Sequence, residues 1–207
     1  MEGVEPKEIL RRYGLRARKS LGQHFLHDQC ILDEITGAAD LDPDDLVIEI
    51  GPGFGSLTKM LLEKVQQVIA VELDDGLASL LKQHLSSYAN LKVVTGDIRN
   101  ITTKELLQES SEGIQNNSEF VEYKVVANLP YYVAVLVIRK FLESPVRPKK
   151  IVAMVQKEVG QAMVAAPGYM GLISLAVQVY GRARLVVDVP ADKFYPIPKV
   201  DSAVVCV

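Results

Sequence analysis

At 207 residues with 48% hydrophobic content, the chain can bury one well-packed domain and the start of a second. A formal net charge of −3 excludes a polycation, so any nucleic-acid contact must come from a local basic surface. Cys30 and Cys206 stand near opposite ends without ligand-like neighbours, and the longest strongly apolar run, Val133–Ile138, is far too short to span a bilayer. The expectation is a reduced, cytoplasmic, soluble protein with no metal and no membrane contact, acting as a monomer.

The first segment is basic: Lys7, Arg11, Arg12, Arg16, Arg18 and Lys19 face the single acid Glu8. It reads either as a solvated tail or as a cationic surface. From Leu46 onward, short β-rich runs alternate with helix-like segments. The runs are Leu46–Ile50, Val68–Val71, Leu91–Thr95, Tyr123–Ala127 and Lys150–Val155. Between them lie Ser56–Val65, Gly76–Ser86, Thr103–Gln108 and Val133–Glu143, with further helix after Gln156 and Gly171. Runs such as Val-Ile-Ala-Val suit strands covered on both faces, and the alternation predicts a doubly wound α/β domain. Arg184–Val189 and Ser202–Val207 are joined by a Pro-rich link too short for a crossover helix, so they should pair antiparallel. The fold expected is a seven-stranded, mostly parallel sheet with an antiparallel last strand. Gln108–Phe120 is polar and reads as a surface loop.

In such a sheet, ligands sit outside the carboxyl ends of the strands. The first strand runs into Glu49-Ile50-Gly51-Pro52-Gly53-Phe54-Gly55, a turn that permits close backbone approach to a ligand. The second ends in Glu72, followed by Leu73; a carboxylate there can accept both ribose hydroxyls, or can cap a helix. The third ends in Gly96-Asp97-Ile98, where Asp97 can accept from an adenine amine while Ile98 packs on the ring. Helix capping again explains the acid equally well. A dinucleotide site explains the first two features, but the glycines are spaced G-x-G-x-G and it leaves the fourth strand end unexplained.

That end is Asn128-Leu129-Pro130-Tyr131. An aromatic amine is a poor nucleophile because its lone pair is delocalised into the ring. Two acceptors on its N–H bonds favour a pyramidal nitrogen and stabilise the charge that develops as it attacks. The Asn128 side-chain oxygen and the Leu129 carbonyl can form that pair, Pro130 stiffens the turn, and Tyr131 offers a stacking face for an extruded base.

The chain resembles the small-subunit ribosomal RNA adenine dimethyltransferases. The matching stretches are Lys19–Leu26, Glu49–Gly55, Val71–Asp74, Gly96-Asp97, Asn128–Tyr131, Gln156–Val159 and the run Phe194–Val205. The resemblance implies a Rossmann-like S-adenosylmethionine-dependent methyltransferase fold. Its methyl donor would have its carboxypropyl end near His24, Leu26 and Gly51, its ribose at Glu72 and its adenine at Asp97 and Ile98, with Asn128 touching donor and target. Gly53 and Leu73 would also bind the cofactor. Tyr131 and Phe194 would sandwich the target adenine. It further implies an RNA-contacting role for Arg11, Arg12, Arg16, Arg18 and Lys19. Residues 1–27 would then form a basic segment closing over the cofactor site and 28–207 the catalytic domain. The resemblance also implies a C-terminal helical domain after the last strand, which is expected to be absent from this chain. The implied partner is small-subunit rRNA within the 30S subunit or its precursor. Two rivals are the erythromycin-resistance type acting on large-subunit RNA and a non-catalytic RNA-binding assembly factor. Leu129 and Pro196–Ser202 favour the small subunit.

Overall fold

The computed structural model describes residues 5–110 and 122–207, so the polar loop expected over Gln108–Phe120 lies almost wholly outside the described residues. The first elements are a short helix α1 (Pro6–Arg12), a two-residue strand β1 (Phe25–Leu26) and helix α2 (Gln29–Ala38). None of these is anticipated by the strand–helix alternation, which begins at Leu46. Helix α2 is capped by Asp28, whose carboxylate accepts from the Ile31 N–H at 3.2 Å. It buries Ile31, Leu32, Ile35 and Ala38, spaced as one helical face.

The alternation then runs as the sequence predicts, with ends shifted by a few residues: β2 (Leu46–Ile50), α3 (Ser56–Leu62), β3 (Gln67–Glu72), α4 (Asp75–His84), β4 (Leu91–Thr95) and α5 (Thr103–Ser110). It continues through β5 (Lys124–Asn128), α6 (Ala134–Leu142), β6 (Lys150–Gln156), α7 (Lys157–Met163), α8 (Leu172–Gln178) and β7 (Arg184–Val189). The chain closes with β8 (Phe194–Tyr195) and β9 (Ser202–Cys206). Seven strands form one sheet in the order β4-β3-β2-β5-β6-β9-β7, and β9 runs antiparallel to both its neighbours. β1 and β8 form a separate antiparallel pair, Leu26 opposite Phe194.

Side chains alternate across the sheet. Ile48, Ile69, Val71 and Val125 enter a core closed by α5, α6 and α8, whereas Val47, Val68 and Val126 enter one closed by α2, α3 and α4. Because both faces are covered, β2 can be apolar at every position but Glu49, and Val125–Ala127 of β5 and Ala203–Cys206 of β9 apolar throughout. Strand order reverses between β2 and β5, and the ends of these two strands face the same crevice. Among the described residues, no helix is long and apolar enough to cross a membrane.

Candidate active site

The turn after β2 is built on glycines at positive φ, 72° at Gly51 and 56° at Gly53. A Cβ at Gly51 would lie 2.7 Å from the Asn128 carbonyl oxygen. Only a residue without a side chain lets the first turn sit on the end of β5, and this contact joins the two sides of the crevice.

Glu72 is buried at the end of β3. Its Oε2 accepts from the Gly53 N–H at 3.2 Å and its Oε1 from the Asp74 N–H at 2.9 Å. Burial pushes its carboxyl pKa up, and the backbone N–H groups pull against that shift. Helix capping does not explain it, because α4 is capped by Asp74, whose Oδ1 accepts from Gly76 and Leu77.

Asp97 is not a cap either. The α5 terminus is closed by Thr102 and Glu105, which exchange side-chain-to-backbone hydrogen bonds at 2.6 and 3.2 Å. Asp97 instead receives both arms of Arg99, at 3.0 Å from Nε to Oδ1 and 2.6 Å from Nη2 to Oδ2. That guanidinium holds its carboxyl below the usual carboxylate range. Ile98 beside it is buried in the core.

The Asn128 Nδ2 donates to the His24 carbonyl at 3.5 Å, and no protein donor occupies its Oδ1 among the described residues. The His24 ring turns the other way. Its Nδ1 donates to the Pro196 carbonyl at 2.6 Å, and its plane stacks on Tyr131 at 5.9 Å between centroids. The Tyr131 hydroxyl shares a 2.8 Å hydrogen bond with Ser202 Oγ, and burial pushes the phenol pKa up. His24, expected at the donor's carboxypropyl end, thus meets Asn128 through its backbone carbonyl and Tyr131 through its ring.

Phe194 differs from the expectation of a stacking face. It retains only 2% of its surface and packs with Leu26 and Leu32. Its pairing with Leu26 in the β1–β8 ladder directs the ring into the core. Even so, every residue expected at the donor and acceptor sites, from His24 and Leu26 through Leu73 and Leu129 to Pro130 and Phe194, lines one cavity.

The basic segment is an ordered strap. Ile9 and Leu10 of α1 are buried against Phe25, Phe54, Leu77 and Leu80. Arg11, Arg12, Arg16 and Lys19 are exposed. Arg18 is exposed too, but its Nε pairs with the buried Asp74 carboxylate at 3.1 Å, so it ties the strap to α4.

Sequence reasoning missed Glu49. It lines the cavity at 1% exposure with neither carboxylate oxygen in hydrogen-bonding geometry among the described residues; burial pushes its pKa up to about 8, with the Thr58 hydroxyl opposing and the Glu72 charge adding. Its signal was a carboxylate inside the otherwise apolar strand Leu-Val-Ile-Glu-Ile.

Strand order, the glycine turn and an acid after each of the next two strands define a Rossmann-like fold of the S-adenosylmethionine-dependent methyltransferase class. Two solved structures share it closely: a dimethyladenosine transferase from Plasmodium falciparum and the 23S rRNA methyltransferase ErmE. The first is 30% identical with a TM-score of 0.72, covering 88% of this chain and 62% of that one. The second is 28% identical with a TM-score of 0.73, covering 88% of this chain and 68% of that one. Residues 14–207 match the family model for ribosomal RNA adenine dimethylases, and the chain belongs to that family. The ribosomal RNA small subunit methyltransferase A of Dehalococcoides mccartyi (strain CBDB1) is 48% identical over 98% of this chain. The protein of the same name from Alkaliphilus metalliredigens is 43% identical over 96% of this chain. The chain spans 66% of the Dehalococcoides protein's length and 68% of the Alkaliphilus protein's.

Proposed function

We propose that this chain is the methyl-transferring domain of a small-subunit rRNA adenine N6,N6-dimethyltransferase, using S-adenosylmethionine to modify two adjacent adenosines in the 3′-terminal hairpin loop within the 30S subunit or its precursor. The observation that carries this reading is the seating of the Asn128–Tyr131 turn on Gly51, which gives a donor pocket and a base-accepting turn one shared cavity. The pocket's chemistry fits the donor. Glu72 can accept from a ribose diol, and Asp97 and Ile98 offer an acceptor and an apolar face to a purine.

When bound, the donor supplies a methyl group already activated on a sulfonium. The chain's own part is to bind, align and accept charge. Asn128 Oδ1, left free by the bond of Nδ2 to His24, would accept from one N–H of the target amine, with the Leu129 carbonyl taking the other. The nitrogen needs no strong base, because its proton becomes acidic as the new bond forms. Tyr131, fixed at its hydroxyl by Ser202, would present its ring to the base, with the exposed cations of the strap toward the RNA phosphates. Small-subunit RNA is favoured over large-subunit RNA by the 48% identity to a small-subunit methyltransferase, against 28% to the 23S enzyme.

The test is incubation with labelled S-adenosylmethionine and unmethylated small subunits, with the modified nucleotide mapped and large-subunit RNA assayed in parallel. Label at N6 of two adjacent adenosines in the small-subunit hairpin is expected. Label in large-subunit RNA alone would move the assignment to the erythromycin-resistance type. Donor binding without transfer to either RNA would favour a non-catalytic assembly factor.

A further inference from the structure

The turn after β4 spans Asp97 to Asn100 and is closed by the Asn100 N–H donating to the Asp97 carbonyl at 2.9 Å. Its near end is tied to β3, where the Gly96 N–H donates to the Glu72 carbonyl at 2.9 Å. Its far end is tied elsewhere. Lys140 Nζ donates to the Ile98 carbonyl at 2.6 Å and to the Arg99 carbonyl at 3.0 Å, so one ammonium holds both central residues of the turn. Lys140 belongs to the last part of α6, and α6 begins three residues beyond Tyr131. The helix therefore carries the base-accepting turn at one end and a clamp on the adenine-facing turn at the other. Arg99 cannot replace this clamp. It grips Asp97 within the same turn, and its own side chain is 45% exposed.

Holding an ammonium half-buried has a desolvation cost, which pushes the Lys140 pKa down against the favourable charges of Asp97 and Glu105. A surface helix has no need of such a group for packing alone. Two backbone carbonyls in a tight turn cannot be reached by a neutral aliphatic side chain, whereas a long flexible ammonium can reach both.

We propose that Lys140 is a positioning residue that fastens the donor-adenine turn to the helix bearing the methyl-accepting turn, holding Asp97 and Ile98 in register with Asn128. This rests on the donor assignment above. It assigns to α6 a second task beyond covering the sheet, and it makes recognition of the donor's purine depend on a side chain that does not touch the donor.

The experiment compares binding of S-adenosylhomocysteine and its N6-deaminated counterpart, S-inosylhomocysteine, by calorimetry for the parent chain, Lys140→Met and Lys140→Arg, with unliganded melting as a control. The parent is expected to favour the adenine ligand. Lys140→Met should bind that ligand about tenfold more weakly and lose most of the discrimination, and Lys140→Arg should restore much of both. Affinity within twofold of the parent in a folded Met variant would overturn the proposal, as would an equal loss for both ligands, which is what general loosening produces. Lys140→Gln, still a donor but uncharged and shorter, takes the place of the Met variant if that does not fold; the same ligands are used, and the same affinity changes support or overturn the proposal. No binding of either ligand by the parent would instead refute the donor assignment itself.

Discussion

Two regions enclose the cavity, and they are held by different forces. The strand-end turns are fixed by backbone hydrogen bonds and close contact: Glu72 takes two main-chain N–H groups, Asp74 caps α4, and Gly51 abuts the Asn128 carbonyl. Of the strap over residues 5–26, only Phe25 and Leu26 lie in a strand, and that strand pairs with β8 outside the main sheet. The strap rests on Ile9 and Leu10 in a small apolar cluster, an edge-on contact of Tyr13 with His84, a two-residue strand pair and the Arg18–Asp74 ion pair. A cavity with one rigid wall and one lightly fastened wall can be pre-shaped for its ligand and still admit it. The contrast also ranks what mutations should do: changes in the turns should act on chemistry and fold, and changes in the strap should act weakly.

The largest effect is expected at the floor of the rigid wall. Asn128→Ala removes one of the two acceptors proposed for the target amine, and by analogy with loss of a single preorganised donor from a charge-stabilising site, turnover should fall about 100-fold or more. Single-turnover transfer with donor in excess measures it, and unchanged turnover would show that the acceptor account is wrong. Next comes Gly51→Ala. The added Cβ meets backbone rather than a yielding side chain, and the residue sits at φ 72°. A loss of about 2–3 kcal/mol in urea unfolding is expected from strain and overlap together. A change under a few tenths would mean that β2 and β5 part easily, and the rigid-wall half of the comparison would fail.

A third effect depends on pH. Glu49 has its pKa raised to about 8 in the folded protein from an ordinary value of 4.5. Between those two values the folded chain keeps a proton that the unfolded chain releases, so stability should fall as pH rises. The slope approaches roughly 1.4 kcal/mol per pH unit at most and levels off above the folded value. Below the ordinary value both states are protonated and the slope vanishes. Glu49→Gln, neutral throughout, should flatten the profile between pH 5 and 8 and be the more stable chain at pH 8. Parallel profiles for the two chains would show that the carboxyl is ionised and compensated.

The same division governs what could be read from the sequence. The inner strands β2, β3, β5, β6 and β9 were legible because strands buried on both faces are almost wholly apolar, the partly exposed edge strands β4 and β7 by their β-branched residues and their place in the alternation, and the turns because their residues follow directly on those strands. The register that sets Gly51 against Asn128 follows from strand order, which a doubly wound pattern largely dictates. The strap was legible only as charge. Its helix buries just two aliphatic side chains, and their partners Leu77 and Leu80 lie far along the chain, so no local period announces the packing. The same reason hides the turning of Phe194 into the core: its partner Leu26 stands on a strand of two residues, too short for any alternation. Lys140 was invisible because its partners are carbonyls, which carry no residue identity.

The smallest effect belongs to Arg18, and its size decides what the strap's charges are for. The guanidinium is 60% exposed, whereas the Asp74 carboxylate it meets is 4% exposed. A pair with one wet partner contributes about 0.2–1 kcal/mol, while burying Ile9 and Leu10 contributes roughly 1.5–3 kcal/mol each. The apolar pair therefore holds the strap down, and the ion pair selects where along α4 it lies. The Gln23 amide, donating to the same Asp74 oxygen at 3.2 Å, partly duplicates the contact. Arg18→Ala should lower stability by less than about 1 kcal/mol and change donor affinity only a few-fold, with both differences shrinking as salt is raised. Substitution of the exposed Arg11 and Arg12 should instead leave donor affinity untouched and weaken RNA binding. If Arg18→Ala behaves like Arg11→Ala in both assays, the strap is not fastened through Asp74, and the lightly fastened wall is held by its apolar contacts alone.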